Sequence, residues 1–298
     1  MNNFSEIERF WINYNHLVQP FMDSTLNDLS DGLTLIKTPK MESPADNYIA
    51  VRSQKGLDYM LSENFNYSPV HSIAFLPFKT ENEEEKIEQV KEKFFGRGPV
   101  KEIHEFWIKG AENTPKIDIN ELEKELKLIK EGRYTFVVSP FNNSEMLKKY
   151  ENAFVEGFKE AEFLPPDSNY YVKRYLAESP NPQISTNIAV GIKDKNTGEI
   201  AGCSFLLTGN SLQGNEKLAY FHGDTIIPAH TGNKLQKYLI AYRKYIAEAM
   251  NIKPQNMFSI VEKNSPSHKN YTNNGFEPIH EKGMWGVYEE PVILIKQG

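Results

Sequence analysis

Residues 231–250 limit the possible fold more than any other stretch of the chain. Leu235, Tyr238, Leu239, Tyr242, Tyr245, Ile246 and Ala249 recur at helical spacing and define one apolar face of a long helix. That helix stands between two β-prone runs, 218–227 and 257–261. Ahead of it, runs 184–192 and 199–208 flank the turn-forming stretch 194–198 and read as a hairpin. A hairpin followed by strand, helix and strand implies an α/β (α+β) fold with a mixed, mostly antiparallel sheet flanked by helices.

The rest of the chain reads less regularly. Residues 144–163 repeat Leu147, Tyr150, Phe154 and Phe158 as a second amphipathic helix, stopped by Pro165-Pro166. Residues 134–138 form a strand. The first third reads as short strands among turns, at 33–36, 48–51 and 71–75. A helix is then expected over 81–95, because its acidic opening suits the helix dipole. Gly96-Arg97-Gly98-Pro99 precedes an aromatic, β-prone run over 100–108, which makes it a helix-to-strand turn rather than a phosphate cradle. Asn120 is expected to cap a helix over 121–130, with Gly132 just past its end. The domain boundary falls after that helix and divides the chain into 1–132 and 133–298.

Composition removes several classes. The chain has 298 residues, room for one large or two ordinary domains. A formal net charge of -6 gives no basic footprint, so no nucleic-acid partner is expected. No apolar run approaches the ~20 residues that span a bilayer, and no basic segment followed by an apolar one opens the chain, so no membrane partner is expected. The single cysteine, Cys203, excludes an internal disulfide and reads as a small core residue. A cytoplasmic protein is the expectation. The seven histidines and the cysteine show no metal-ligand spacing, so no metal is expected.

Chemistry concentrates at two junctions. In the stretch from Asp224 to Gln236, a buried strand ends at Pro228, a polar turn contains Gly232, and the long helix begins. Free N–H groups at a helix start form an anion site, and Lys234 is suited to a nearby phosphate. The second junction follows the strand at 257–261. Asn264, Ser267, Tyr271, Gly275 and Phe276 stand there at a spacing in which the chain resembles the GCN5-related N-acetyltransferase (GNAT) superfamily. In the first junction, Ile226, Pro228 and Gly232 hold the frame of that family's acyl-CoA loop. Thr231, Lys234 and Gln236 depart from its Arg/Gln-x-x-Gly-x-Gly/Ala pattern. The resemblance covers roughly residues 134–291. The first ~130 residues look like the front half of tandem proteins in which a degenerate GNAT-like domain precedes the active one.

The resemblance implies an acyl-CoA N-acyltransferase fold, two such domains, and acetyl-CoA as co-substrate. It implies direct transfer of an acetyl group to a primary amine of a small molecule or protein, within a ternary complex. Cofactor contacts would come from Ile226, Ile227, Thr231, Gly232, Asn233, Lys234, Leu235, Asn264, Ser267 and Tyr271, with a main-chain donor near Ile226 and Ile227. Tyr271 occupies the family's general-acid position. No single family residue serves as base. Strand alternation puts Tyr220, His222, Asp224 and Ile226 on one face, which makes His222 the candidate base, with Asp224 and Glu262 as alternates. The second reading is a catalytically weak domain that binds acyl-CoA or a protein partner, favoured by the unusual Thr231, Lys234 and Gln236. Acceptor specificity is expected in 144–179 and 208–216.

Overall fold

The computed structural model describes residues 6–22, 25–37, 47–66, 72–76, 78, 82–96, 98–138, 144–159, 181–279 and 292–296. The chain divides into two compact units. One comprises Met1–Asn15, Met22–Trp107 and Ile279–Gly298, the other His16–Phe21 and Ile108–Pro278.

The first unit begins in helix α1 (Glu6–Met22). The strands β1 (Thr25–Ser30), β2 (Leu33–Lys37) and β3 (Tyr48–Val51) form an antiparallel meander. Helix α2 (Gln54–Leu61) then leads to β4 (Ser72–Phe75), which lies parallel to β3. Helix α3 (Glu83–Phe95) and β5 (Val100–His104) follow. Among the described residues the strand order is β1-β2-β3-β4-β13-β5, where β13 is Val292–Lys296, from the far end of the chain. Leu33, Ile49, Ile73, Val90 and Leu294 meet in its core.

The second unit takes its first strand, β6 (Phe106–Gly110), from just after β5. Helix α4 (Ile119–Leu128), strand β7 (Tyr134–Val138) and helix α5 (Ser144–Gly157) follow. The meander of β8 (Ser185–Asp194), β9 (Ile200–Asn210) and β10 (Lys217–Ile226) leads through helix α6 (Leu235–Ala249) to β11 (Met257–Val261), parallel to β10. Helix α7 (Pro266–Asn273) and β12 (Phe276–Pro278) complete it. The order is β12-β6-β11-β10-β9-β8-β7 among the described residues. The mixed, mostly antiparallel sheets flanked by helices are those expected from the sequence.

The expected division at 132/133 does not describe the sheets. Residues 106–110 lie in the second sheet, paired with β12 through Phe276↔Gly110 and Pro278↔Ile108. Residues 292–296 lie in the first sheet, between β4 and β5. Each sheet thus fills its penultimate position with a strand from the other half of the sequence. Pairing between residues far apart along the chain leaves no local pattern.

Three smaller expectations also change. Helix α1 replaces the irregular start: Ile7, Phe10, Trp11, Leu17, Val18 and Phe21 are buried at helical spacing. The buried Asn13 and Asn15, and Pro20 within the last turn, obscure that spacing. Helix α4 is capped by Asp118, whose carboxylate accepts from the backbone N–H of Asn120 and Glu121, so Asn120 is inside the helix. Helix α6 starts at Leu235 and not at Thr231, because Gly232 (φ +77°) and Lys234 (φ +58°) are left-handed. The expected helix end at 163, and residues 160–179 of the expected specificity region, lie outside the described residues.

Candidate functional site

The site is built where β10 outlasts its parallel partner. The β10–β11 register runs Ala219↔Met257, Tyr220↔Phe258 and Phe221↔Ser259 and ends there. On its other edge β10 continues beside β9 as far as Ile226↔Gly202, with a register slip between His222 and Thr225. Gly223 (φ +64°) sits in the slip, and a Cβ there would lie 2.6 Å from the Phe205 ring, so a side chain is excluded. Beyond the slip the Ile227 N–H donates to the Ala201 carbonyl of β9 at 3.0 Å. Antiparallel strands alternate their donors, so the Ile226 N–H turns to the opposite edge, where β11 has diverged. Of the two expected donors, Ile226 faces the opening and Ile227 does not.

The connection to α6 is a tight, self-bonded loop. The Thr231 hydroxyl donates to the Pro228 carbonyl at 2.8 Å, and the Asn233 amide donates to the His230 carbonyl at 2.9 Å. No side chain caps the first turn of α6, whose N-cap is Lys234. The Lys237 N–H donates to the Lys234 carbonyl at 3.2 Å, which leaves the first two, those of Leu235 and Gln236, for an external acceptor in a field that favours an anion.

A cleft of about 1000 Å³ lies along this edge, bounded by β10, β11 and the starts of α6 and α7. It gathers most of the expected residues. Ile226, Thr231, Gly232, Lys234, Leu235, Ser267 and Tyr271 line it, as do His222, Asp224 and Glu262. Ile227, Asn233 and Asn264 are not among its lining. Asn264 (φ +65°) is exposed, and its N–H donates to His268 Nδ1 at 3.1 Å, shaping the turn into α7.

At the inner wall Tyr271 is fully buried. Its hydroxyl donates to Asp224 Oδ2 at 2.5 Å and accepts from Arg243 Nη2 at 3.2 Å. Arg243, also fully buried, donates a second bond from Nη2 to Asp224 Oδ1. Burial pushes the phenol's pKa up; the Arg243 cation pulls it back, and the Asp224 carboxylate pushes it further up. Arg243 escaped the sequence reading, although a signal existed. It interrupts the i, i+4 row Leu235, Leu239, Arg243, Ala247, all four of them buried. A cation in an apolar row points to a buried partner.

His222 stacks on Tyr220, with ring centroids 5.1 Å apart and planes 2° from parallel. Burial, assisted by the Arg243 charge, lowers its pKa to about 3. The imidazole is therefore neutral at physiological pH and a weak base, poorly matched to taking a proton near neutrality. Asp224 is committed to Arg243 and Tyr271. Glu262, at the end of β11, is exposed.

Gln236 also takes a part that its position did not announce. It donates to Ser267 Oγ at 3.0 Å and accepts from Asn270 Nδ2 at 2.7 Å, tying α6 to α7. A longer side chain here exchanges close approach for a polar bridge. The His230 ring is buried, with Nδ1 3.0 Å from the Tyr134 hydroxyl. Cys203 is buried in β9, and burial pushes its thiol pKa up, consistent with a core role. Among the described residues, no group of three or more His, Cys, Asp or Glu could hold a metal ion. No helix among them is long and apolar enough to cross a membrane.

No protein-family model matches this sequence, and comparison with curated proteins finds no match. Solved structures do match. A GCN5-related N-acetyltransferase from Kribbella flavida superposes with a TM-score of 0.52 at 10% identity, over 99% of this chain and 96% of that one. A conserved protein of unknown function from Staphylococcus epidermidis gives 0.53 at 11% identity, over 93% and 95% of the two chains. A Drosophila protein gives 0.52 at 11% identity, over 91% and 77%. At such identities the likeness establishes the fold alone: the chain is folded like these proteins, a GCN5-related N-acetyltransferase among them.

Proposed function

We propose that the second unit is an acetyl-CoA-dependent N-acetyltransferase acting on a primary amine of a small molecule or protein. The opening of β10 from β11 beside an uncapped helix start is the observation that carries this reading. An extended thioester fits along such an edge while its phosphates meet the free N–H groups of α6 and the Lys234 ammonium. The amine nitrogen attacks the thioester carbonyl, a C–N bond forms and the C–S bond breaks. Negative charge developing on the carbonyl oxygen is met by the Ile226 N–H. Tyr271 supplies a proton to the departing thiolate, which requires its hydroxyl to turn from Asp224 toward the sulfur. Among the titratable groups of the cleft, exposed Glu262 is better suited than Asp224 or neutral His222 to receive the amine's proton through solvent.

A second reading, acyl-CoA binding with weak catalysis, draws on the Tyr271 hydroxyl being directed at Asp224. Thermal melts with and without acetyl-CoA, followed by thiol release over a panel of amines, separate the two. The expected result is a higher Tm with acetyl-CoA, since a ligand selective for the folded state stabilises it. Thiol release should then fall roughly 100-fold in Tyr271→Phe, the scale of a lost general acid. No shift at millimolar acetyl-CoA would sink both readings. Unchanged turnover in Tyr271→Phe removes the phenol from the mechanism.

A further inference from the structure

We infer that Arg243 is the positioning residue of this site: one guanidinium holds the strand before the β10 slip, the Asp224 carboxylate within it and the phenol oxygen of Tyr271 in a single arrangement. The inference rests on the acetyl-transfer reading above. From α6, Arg243 Nη1 donates to the Phe205 carbonyl of β9 at 2.8 Å and to the His222 carbonyl, just before the slip, at 3.4 Å. Nη2 donates to Asp224, within the slip, and to the Tyr271 hydroxyl of α7 at 3.2 Å. Nε donates to the Leu239 carbonyl at 3.3 Å, closing the fork onto its own helix, and the guanidinium lies 4.9 Å from the centre of the Phe221 ring. A planar fork with five N–H donors can reach these acceptors together; a lysine ammonium, a point charge with three, cannot.

The arrangement has a chemical consequence. When the phenol O–H bond breaks and an S–H bond forms on the departing thiol, the electron pair stays on the Tyr271 oxygen. The Arg243 N–H already bonded to that oxygen stabilises the phenolate as it appears, whereas the Asp224 carboxylate opposes it. The proton released by the amine then restores the phenol through solvent. Arg243 touches neither the thioester nor the amine in this scheme. It acts through Tyr271 and through the strand that presents the Ile226 N–H.

Two variants test this in the whole chain. Arg243→Met with Asp224→Leu replaces the buried pair by apolar groups, a change that folded proteins commonly tolerate. Arg243→Lys keeps the buried charge pair, loses the fork, and carries the test should the double variant lose its cooperative melt. Steady-state thiol release is measured against acetyl-CoA. The expected result is a kcat lower by roughly 10- to 100-fold in the double variant, with KM for acetyl-CoA and the acetyl-CoA melting shift unchanged. Arg243→Lys should fall between it and the wild type. A folded variant that keeps the wild-type kcat, or one whose loss lies in KM alone, overturns the positioning role while leaving the transfer reading intact. A wild-type chain that releases no thiol with any amine overturns both.

Discussion

The two sheets share a plan and part company at one joint. Each runs an antiparallel meander into a helix and then a parallel strand: β1-β2-β3-α2-β4 in the first unit, β8-β9-β10-α6-β11 in the second. In the first, the parallel register reaches Val51↔Phe75, the final residues of both strands. Only Arg52 and Ser53 separate β3 from α2, and the Ser53 hydroxyl accepts from the Gly56 N–H at 3.2 Å. In the second, β10 runs on past its last parallel pair, residues 227–234 intervene, and α6 starts uncapped. The fold alone therefore does not make a cleft. A strand that outlasts its partner and a longer connection ahead of the helix accompany the one in the second unit, and among the described residues the β3–α2 joint has neither.

The largest test concerns how far each sheet depends on the other half of the sequence. A fragment of residues 133–298 lacks β6, so β12 loses its partner and β11 an edge. It also carries β13 without β4 and β5, an exposed edge strand prone to association. That fragment is expected to aggregate or to melt without a cooperative transition, whereas residues 106–279, which retain β6 and lack of this unit only His16–Phe21, should melt cooperatively. Calorimetry of both fragments decides it. A sharp transition from 133–298 would show that the exchanged strands are dispensable.

A second test sets the two arginine clusters against each other. In the first unit Arg52 donates to Glu8 at 2.6 Å, Asp28 at 3.1 Å and the Thr34 hydroxyl at 3.0 Å, but Asp28 is 72% exposed. In the second, Asp224 is 6% exposed and Arg243 0%. Removing Asp224 strands a buried guanidinium, and Asp224→Ala should cost about 3–5 kcal/mol. Asp28→Ala leaves Arg52 with Glu8 and open solvent nearby, and should cost under about 1 kcal/mol. Urea unfolding of the two variants measures the difference. Equal losses would mean that burial does not separate the clusters.

How much of this could be read from the sequence follows the same division. The β10–α6–β11 crossover, the loop around Gly232 and the place of Tyr271 were legible because helical periodicity, a turn glycine and fixed spacings are local signals. The strand exchange was not, since β13 pairs with β4 and β5 across some 200 residues and nothing local marks it. The reading of His222 as base left out something of a different kind. Alternation did place the ring in the cleft, but periodicity carries no information on desolvation, which is what lowers its pKa. Arg243 lay between these cases: its interruption of an apolar row was visible, whereas its acceptors on β9, β10 and α7 were not.

The smallest expected effect bears on the joint itself. If the first unit is closed because Ser53 satisfies the start of α2, removing that hydroxyl should cost what an N-cap costs. Ser53→Ala is then expected to lose about 1 kcal/mol. Lys234 stands at the corresponding place before α6, yet its side chain caps nothing and is exposed. Lys234→Ala should accordingly change stability by less than about 0.5 kcal/mol without ligand. With acetyl-CoA present the order reverses: Lys234→Ala should lose part of the stabilisation by the ligand, while Ser53→Ala keeps all of it, because Ser53 is not among the residues that line the cleft. Denaturant titrations of both variants, with and without acetyl-CoA, read all four values. A ligand effect lost in Ser53→Ala and kept in Lys234→Ala would assign the anion site to the wrong helix, and with it the difference drawn between the two sheets.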